Sequence, residues 1–367
     1  MSTIDSIAID FATLDEIHEA ALASLTDPVR DFLEGGAGDE HTLRSNRLAF
    51  ERWALRPRVM SGLSVPATST TFMGVPLDLP VLTAPFGADR LFDPEGQVAV
   101  ARANERAGTA SIAPEAGSNP VEAIAAAAPR AAAFGQLHPM GPEDNFLRML
   151  DRFGRAGYRG LCVTCDCPTS GWRERNLRNR FSPSYEVIGG NYPPGSDVAL
   201  EEVFGQLFDN DQPVWGWDKL AELMSHSPLP WMAKGIMTPE DAVAAVAAGA
   251  SALLVSNHGG RQLDGVMASL DALPAIRAAV GPDVDIALDS GVRRGTDVVK
   301  AIALGADVVV IGRLAVYGLA AGGEAGVSRV LELLREEITT VLTLLGRGGI
   351  DELDASALVR MERGWDA

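Results

Sequence analysis

The stretch VDIALDSGVRRGTDVVKAIALGADVVVIGR, residues 284–313, contains the pattern that decides the fold. Two apolar runs of strand length, 284–291 and 307–313, enclose a helical pattern that stops at Gly305. A strand, a helix and a second strand in this order form the basic unit of α/β proteins with a parallel sheet. The same alternation begins near residue 79.

Eight strand-like runs occur in total, and helical patterns separate most of them. Eight strands alternating with helices predict a (β/α)₈ TIM barrel of the α/β class. A doubly wound sheet is the alternative, but no G-x-G-x-x-G motif follows an early strand. The runs are LPVLTAP (79–85), TASIAP (109–114), AAAFGQL (131–137), GLCVTCD (160–166), LPWMAKG (229–235), ALLVSN (252–257), VDIALDSG (284–291) and DVVVIGR (307–313).

The flanking segments indicate the domain organisation. Residues 1–75 contain amphipathic patterns such as LDEIHEAALASL, so we expect an N-terminal helical segment packed on the barrel. The barrel is expected over 76–350, and 351–367 form a C-terminal tail. A stretch rich in Gly, Pro and acids, 182–228, follows the fourth strand and predicts a long lid loop over the catalytic face. A surface insertion without a functional role is the alternative.

Composition excludes several classes of protein. There are 31 Lys and Arg against 49 Asp and Glu, so the net charge of −18 disfavours nucleic acids and anionic membrane surfaces as partners. The sequence contains neither a signal-peptide pattern nor the ~18 uninterrupted apolar residues of a membrane span. All three cysteines lie in LCVTCDCP, a poor disulfide framework. We therefore expect a cytoplasmic protein.

The cysteine run also has a metal-binding interpretation. The spacing C-x₂-C-x-C could supply ligands. On a strand, however, Cys165 and Cys167 face one side and Cys162 the other, and no nearby His completes a set. Buried thiols are the prediction, and no metal site is expected.

Polar residues end most of the strand-like runs, at the edge where a barrel of this type has its active site. A ring of ionisable groups around the mouth of an apolar core predicts a binding or catalytic site. These residues are Gln136, His138, Thr164, Asp166, Lys234, Ser256, His258, Arg261, Asp289, Gly291, Arg293, Gly312 and Arg313.

The residue types suggest chemistry. His258 is the candidate base, because imidazole titrates near neutral pH. Asp166, if it faces His258, would orient the ring and favour its protonated form. Arg261 or Arg173 could hold a carboxylate with two donors. Lys234 is either a Schiff-base nucleophile, as in an aldolase, or a fixed charge beside a cofactor, and the residues alone leave both open.

The last two strand ends predict a phosphate site. Loops after the seventh and eighth strands are the usual phosphate cradle of these barrels. Gly291 and Gly312 allow backbone N–H groups to approach an anion, while Arg293 and Arg313 add charged donors. Arginines on a solvated rim are the alternative.

The motif SNHGGRQLDG, residues 256–265, resembles the FMN-dependent 2-hydroxy acid oxidase and dehydrogenase family, which includes glycolate oxidase, lactate oxidase and mandelate dehydrogenase. The resemblance extends from about residue 12 to residue 350. DFLEGGAGDE (31–40) and RLFDPEG (90–96) look most like the mandelate and hydroxymandelate oxidase branch. Other matching stretches are APFGADRLFDPEG (84–96), VTCDCPTSGWRERNLRNRF (163–181), KGIMTPEDA (234–242) and residues 289–313.

The resemblance implies an FMN in the barrel mouth and oxidation of a 2-hydroxy acid, such as a mandelate-like aromatic one, to the 2-oxo acid. His258 would take the hydroxyl proton and Asp166 would stabilise the imidazolium. Arg173 and Arg261 would bind the substrate carboxylate. Lys234 would stabilise negative charge at flavin N1, which disfavours the Schiff base. The implied cofactor contacts are Pro85, Phe86, Gly87, Gln136, Thr164, Lys234, Ser256, Asp289, Gly291, Arg293, Gly312 and Arg313.

Three residues depart from the family pattern. Phe32 and His138 stand where many members have tyrosines that contact the substrate, so we expect both at the substrate, and Pro114 replaces a serine near the flavin. The proton-transfer and anion-binding groups are kept, so we expect activity, with O2 or another acceptor taking the electrons. The resemblance further suggests a homotetramer. Two alternatives are oxidation or oxidative decarboxylation of an unusual natural-product acid, and a non-catalytic FMN-binding homologue.

Overall fold

The N-terminal part of the chain supplies helices that pack on the outside of a barrel. The computed structural model describes residues 10–207 and 214–361. The side chain of Thr13 caps the first helix by accepting a hydrogen bond from the backbone N–H of Glu16. The first three helices are α1 (Leu14–Ser24), α2 (Asp27–Glu34) and α3 (His41–Glu51).

A short antiparallel hairpin covers the N-terminal end of the barrel. Its strands, β2 (Thr70–Phe72) and β3 (Val75–Leu77), follow strand β1 (Trp53–Leu55). The predicted boundary between the N-terminal segment and the barrel, at residue 75, falls inside this hairpin. Phe72 is fully buried, and its ring lies edge-on to that of Phe134, 6.0 Å away. The backbone N–H of Met73 donates to Asp285, the first residue of a barrel strand.

Eight parallel strands close into a barrel in sequence order, so the predicted (β/α)₈ barrel is confirmed and the doubly wound sheet is wrong. Each strand lies within one of the predicted apolar runs or extends one residue past it. The strands are β4 (Val81–Thr83), β5 (Ser111–Ala113), β6 (Ala133–Leu137), β7 (Gly160–Thr164), β8 (Trp231–Ile236), β9 (Ala252–Val255), β10 (Asp285–Leu288) and β11 (Val308–Ile311).

The apolar runs are continuous because both faces of each strand are buried. Phe134, Cys162 and Met232 belong to the cluster inside the barrel, whereas Leu161 and Val163 pack outward against the helices. The three cysteines are free thiols. Alternate residues at the strand ends therefore point into the mouth of the barrel.

Helices separate the strands and surround the barrel. The last of them is kinked at Gly322 and Gly323, and the Thr238 side chain caps the helix after β8. The helices are α4 (Gln97–Ala107), α5 (Val121–Ala127), α6 (Glu143–Arg155), α7 (Glu174–Asn179), α8 (Tyr185–Ile188), α9 (Leu200–Phe204), α10 (Trp217–Met224), α11 (Pro239–Ala247), α12 (Ser269–Val280), α13 (Gly295–Ala303) and α14 (Arg313–Leu345). No helix among the described residues has the length and apolarity needed to cross a membrane.

Two segments have more regular structure than their sequence predicts. The stretch 182–228 contains α8, α9 and α10 in its described parts, and residues 208–213 lie outside them. α10 buries Leu220 and Leu223 and packs beside α6, so it is an ordinary helix of the barrel. In the predicted tail, strand β12 (Leu358–Arg360) pairs with β1. Residues 362–367 lie outside the described residues.

We predict that Phe72→Ala lowers the free energy of unfolding by about 3–5 kcal/mol, because it leaves a cavity beneath the barrel core. Urea denaturation of the purified protein measures this change. Leu63→Ala is the matched control, since Leu63 is exposed and lies outside the buried core. An equal, small effect of both substitutions would contradict the role of the hairpin in the core.

Candidate active site

The loop after β9 holds His258 in an unusual backbone conformation. His258 has φ 58°, and Gly259 and Gly260 also have positive φ. Such a conformation costs a histidine on the order of 1–3 kcal/mol, so the surroundings must enforce it. Asn257 and Asn46 exchange two buried amide hydrogen bonds of 2.7 and 2.8 Å, and Asn257 Oδ1 also accepts from the N–H of Gly260. This pair fixes the loop to helix α3.

His258 meets a carboxylate and an ammonium group at the barrel mouth. Its Nδ1 lies 3.2 Å from Asp166 Oδ2 and 3.3 Å from Lys234 Nζ. Lys234 Nζ lies 3.8 Å from Asp166 Oδ1. These contacts occupy Nδ1 of the His258 ring. Nε2 is therefore the ring nitrogen that can bind a ligand in the cavity.

Burial and charge set the protonation of these groups. Burial and the neighbouring Lys234 lower the pKa of His258 to about 4, against the opposing effect of Asp166. Burial alone would raise the pKa of Asp166, but Lys234 and His258 hold it below its ordinary value. Burial opposes a charge on Lys234, yet Asp166 and Asp289 raise its pKa. Asp166 favours the imidazolium, in the direction predicted from the sequence, but burial and Lys234 outweigh it, so the free imidazole is neutral at neutral pH, as a base requires.

Arginines without carboxylate partners converge beside His258. Arg261 donates to the carbonyls of Phe32 and Gly35, and its guanidinium stands 5.0 Å from the Phe32 ring centre. Arg173 donates to the carbonyl of Arg261 and to Gln262 Oε1. Burial, with the charges of Arg173 and Arg313, lowers the pKa of Arg261 well below its ordinary value. Within the described residues neither Arg173 nor Arg261 forms an ion pair, so the site can accept an anion.

A second cationic region lies at the loops after β10 and β11. Arg313 donates to the carbonyls of Leu33, Gly35 and Gly259, and burial followed by the charge of Arg293 lowers its pKa to about 10. Gly291 has φ 103°, and a Cβ there would come within 2.4 Å of the Asn46 carbonyl.

The carboxylate of Glu34 and the rings of Tyr317 and His18 lie next to this cationic region. Tyr317 donates to Glu34 Oε1 at 2.5 Å, and the guanidinium of Arg293 stands 5.5 Å from the Tyr317 ring centre. Burial alone would raise the pKa of Glu34, but the nearby His18 ring, the hydrogen bond from Tyr317 and the charge of Arg313 lower it to about 2. Glu34 is therefore an anion that partly compensates the arginines.

One cavity of about 590 Å³ joins these groups, a volume typical of small-molecule and cofactor sites. The predicted site residues that line it are Phe32, Pro85, Phe86, Gly87, Arg173, Lys234, His258, Arg261, Asp289, Gly291, Arg293, Gly312 and Arg313.

Five predicted residues lie outside the lining of this cavity. Asp166 contacts His258, and Ser256 accepts a hydrogen bond from the His258 backbone N–H. Gln136 Nε2 donates to Thr164 Oγ1, and the ring of His138 contacts a buried glutamate. The predicted cofactor or substrate contacts of Gln136, His138, Thr164 and Ser256 stay predictions.

Several residues at the site were not found by sequence reasoning. Gln262, which follows Arg261 directly, accepts from Arg173 and donates to the carbonyl of Asp166. Glu115 directly follows the second predicted strand, so the criterion of polar strand ends could have found it. Glu34 and Asn46 lie in N-terminal helices, where no local pattern marks them.

A cluster of potential metal ligands coincides with the catalytic groups. Asp166, Cys167 and His258 offer ligand atoms within 4.8 Å of one another. Burial raises the pKa of the Cys167 thiol to about 12, and the ammonium of Lys234 stands beside the cluster. A protonated thiol and a neighbouring cation both oppose metal binding.

Known proteins share the sequence pattern and the fold of this chain. The family model described as FMN-dependent dehydrogenase matches residues 21–360. The chain belongs to this family. An L-lactate oxidase of Nostoc sp. is 41% identical over 358 residues, covering 94% of this chain and 97% of the relative. Human 2-hydroxyacid oxidase 1 is 35% identical, covering 95% and 96%. A structure of mandelate oxidase with benzoyl-formic acid matches with a TM-score of 0.86 and 36% identity, covering 95% of this chain and 98% of that one.

The described residues of this family member fit the cofactor FMN. A flavin phosphate is an anion, and Arg293 and Arg313 supply cations beside the tightly packed backbone of Gly291. Gly87 also lies close to its neighbours, since a Cβ there would come within 2.5 Å of the Ala116 carbonyl. Lys234 contributes a positive charge to the cavity lining.

We predict that Asn46→Ala lowers the free energy of unfolding by about 1–3 kcal/mol, because it removes the two buried hydrogen bonds that Asn257 makes with Asn46. Chemical denaturation of the FMN-loaded protein measures the change. Asn179→Ala is the control on an exposed asparagine, with an expected change within about 0.5 kcal/mol. Similar stabilities of the two variants would show that the amide pair does not hold the His258 loop.

Proposed function

We propose that this protein oxidises a 2-hydroxy acid with an apolar, aromatic side chain to the 2-oxo acid, with FMN as cofactor. The observation that carries the proposal is that the His258 imidazole and two arginines, which form no ion pair among the described residues, line one cavity. A base and a carboxylate clamp are the groups that such a substrate needs.

In this proposal Arg173 and Arg261 bind the substrate carboxylate. Their guanidinium groups have neutral hydrogen-bond partners, so an incoming carboxylate compensates charge that is already buried. The clamp orients the substrate with its hydroxyl toward His258. Phe32 supports Arg261 through the face of its ring.

His258 accepts the hydroxyl proton at Nε2, and Asp166 stabilises the resulting imidazolium across Nδ1. When bound, FMN would supply a two-electron acceptor for the α hydrogen of the substrate. Lys234 keeps a positive charge at the cavity lining, where it would stabilise negative charge on the cofactor. Arg293, Arg313 and the backbone at Gly291 would hold the cofactor phosphate.

The side chain of the substrate faces an apolar wall. The segment after β7 contributes most of it, and Phe86 and Ala116 complete it from the barrel. Such a wall favours an aromatic side chain over a hydrogen or a methyl group, because burial of apolar area drives binding. The residues from this segment are Tyr185, Ile188, Leu200, Phe204 and Leu207.

Relatives that are named oxidases support O2 as the electron acceptor. A homotetramer and a cytoplasmic location stay predictions. Oxidative decarboxylation and a non-catalytic FMN-binding role are the competing hypotheses.

We expect anaerobic mandelate to bleach the flavin absorbance faster than lactate or glycolate, and peroxide to form in air. His258→Gln should keep FMN but slow the bleaching by about 10²–10⁴-fold, since general-base catalysis is lost. His226→Gln, an exposed histidine outside the site, is the control. A yellow protein that no 2-hydroxy acid bleaches would favour the non-catalytic alternative. Release of carbon dioxide during turnover would indicate decarboxylation.

The pH dependence follows from the pKa of His258. Only the neutral imidazole accepts a proton, so kcat/KM should rise with pH through about 4 and stay level through neutrality. Asp166→Asn should move this acid limb to still lower pH, because the carboxylate favours the protonated ring. Stopped-flow reduction between about pH 3 and 8 measures both profiles. An acid limb of the kcat/KM profile near pH 6.5 would contradict this role. So would an acid limb that Asp166→Asn does not move, because a limb caused by titration of the substrate would be the same in both proteins.

A further inference from the structure

Glu115 is a buried carboxylate that the proposed chemistry does not use. It follows β5 and is only 2% exposed. Its Oε2 accepts from the backbone N–H of His138 at 2.8 Å and lies 3.1 Å from His138 Nδ1. Its Oε1 accepts from the hydroxyl of Tyr192 at 2.6 Å. Both carboxylate oxygens of Glu115 therefore have hydrogen-bond partners.

These contacts join the barrel to the segment that covers its mouth. His138 follows strand β6, whereas Tyr192 belongs to the segment between β7 and β8. Asn191 strengthens the connection, because its Nδ2 donates to the Glu115 carbonyl and its Oδ1 accepts from the N–H of Val121. Glu115 therefore connects the second βα loop to the covering segment.

The two partners of Glu115 both pack against Phe204. The His138 ring lies edge-on to the Phe204 ring at 5.5 Å, and the Tyr192 ring lies edge-on to it at 5.9 Å. Phe204 in turn lines the cavity. Edge-on aromatic pairs depend on orientation, so the positions of the two outer rings determine where Phe204 lies.

Among the described residues, no Arg or Lys side chain forms an ion pair with Glu115 in competition with His138 and Tyr192. In the part of the chain that the structure describes, its only ion-pair contact is with His138. Burial, followed by the charge of Glu115, raises the pKa of Tyr192, so its hydroxyl keeps the proton that it donates. Asn145 Nδ2 donates to the same hydroxyl at 3.1 Å and holds it from the other side.

We propose that Glu115 is a positioning residue: through His138 and Tyr192 it holds Phe204 at the wall of the substrate cavity, and so favours 2-hydroxy acids with large apolar side chains. This inference rests on the proposed 2-hydroxy acid oxidation. Glu115 touches neither substrate nor cofactor in it. Its effect is on the fit of the side chain rather than on proton transfer.

The test uses the FMN-loaded variants Glu115→Gln and Tyr192→Phe, with Phe204→Ala as the direct comparison. For both positioning variants we expect the KM for mandelate to rise by roughly tenfold, the size of one lost charge-assisted hydrogen bond, with kcat within about twofold. The KM for glycolate should stay unchanged. Glu202→Gln, an exposed glutamate on the same helix as Phe204, is the matched control. Equal changes for mandelate and glycolate would overturn the inference.

Two readouts do not need turnover. The affinity for phenylglyoxylate, followed through the flavin absorbance, should fall in Glu115→Gln and not in Glu202→Gln. Amide hydrogen exchange should increase in peptides from 189–207 while the barrel strands keep their protection. Unchanged binding and exchange would overturn the inference even if no acid bleached the flavin. Flavin that no acid bleaches, together with faster exchange in these peptides, would overturn the proposed function and keep the anchoring role of Glu115.

Discussion

The structure depends on positive charge that is partly withdrawn from water at the mouth of the barrel. Lys234 is buried and Arg173, Arg261 and Arg313 are half-buried, and removal of an ion from water costs up to several kcal/mol in real proteins. Asp166, Asp289 and Glu34 compensate only part of this charge. A substrate carboxylate and a cofactor phosphate would supply the rest. Binding of these anions is therefore coupled to the stability of the folded state.

The N-terminal helices stabilise this charge as well as covering the barrel. The last turn of α2 presents the carbonyls of Phe32 and Leu33, and Gly35 follows it; these three oxygens accept from Arg261 and Arg313. The C-terminal end of a helix carries partial negative charge and unsatisfied carbonyls, so it suits buried guanidinium groups. Asp264 fixes the neighbouring helix, because it accepts from the first backbone N–H groups of α3. The helices and the catalytic loop thus hold each other in place.

The segment after β7 shows that composition alone does not predict its secondary structure. Its Gly, Pro and acidic residues indicate a loop, yet α10 is an ordinary helix of the barrel, because Leu220 and Leu223 find a surface to pack on. The part nearer β7 lines the cavity, and its position depends on a carboxylate from a different βα loop. The shape of the side-chain pocket is therefore a property of several distant segments together.

The sequence by itself determined the eight strands, their order and the residues at their ends, because strand periodicity and short motifs are local. His258, Lys234 and the arginines follow from that local pattern together with the family resemblance. Only the tertiary structure decided which charges lack a carboxylate, which helix end faces them, and that Asn46 and Glu115 matter. These properties arise from contacts between residues far apart in the chain. No local pattern records the path that brings Tyr192 to Glu115 or Asn46 to Asn257.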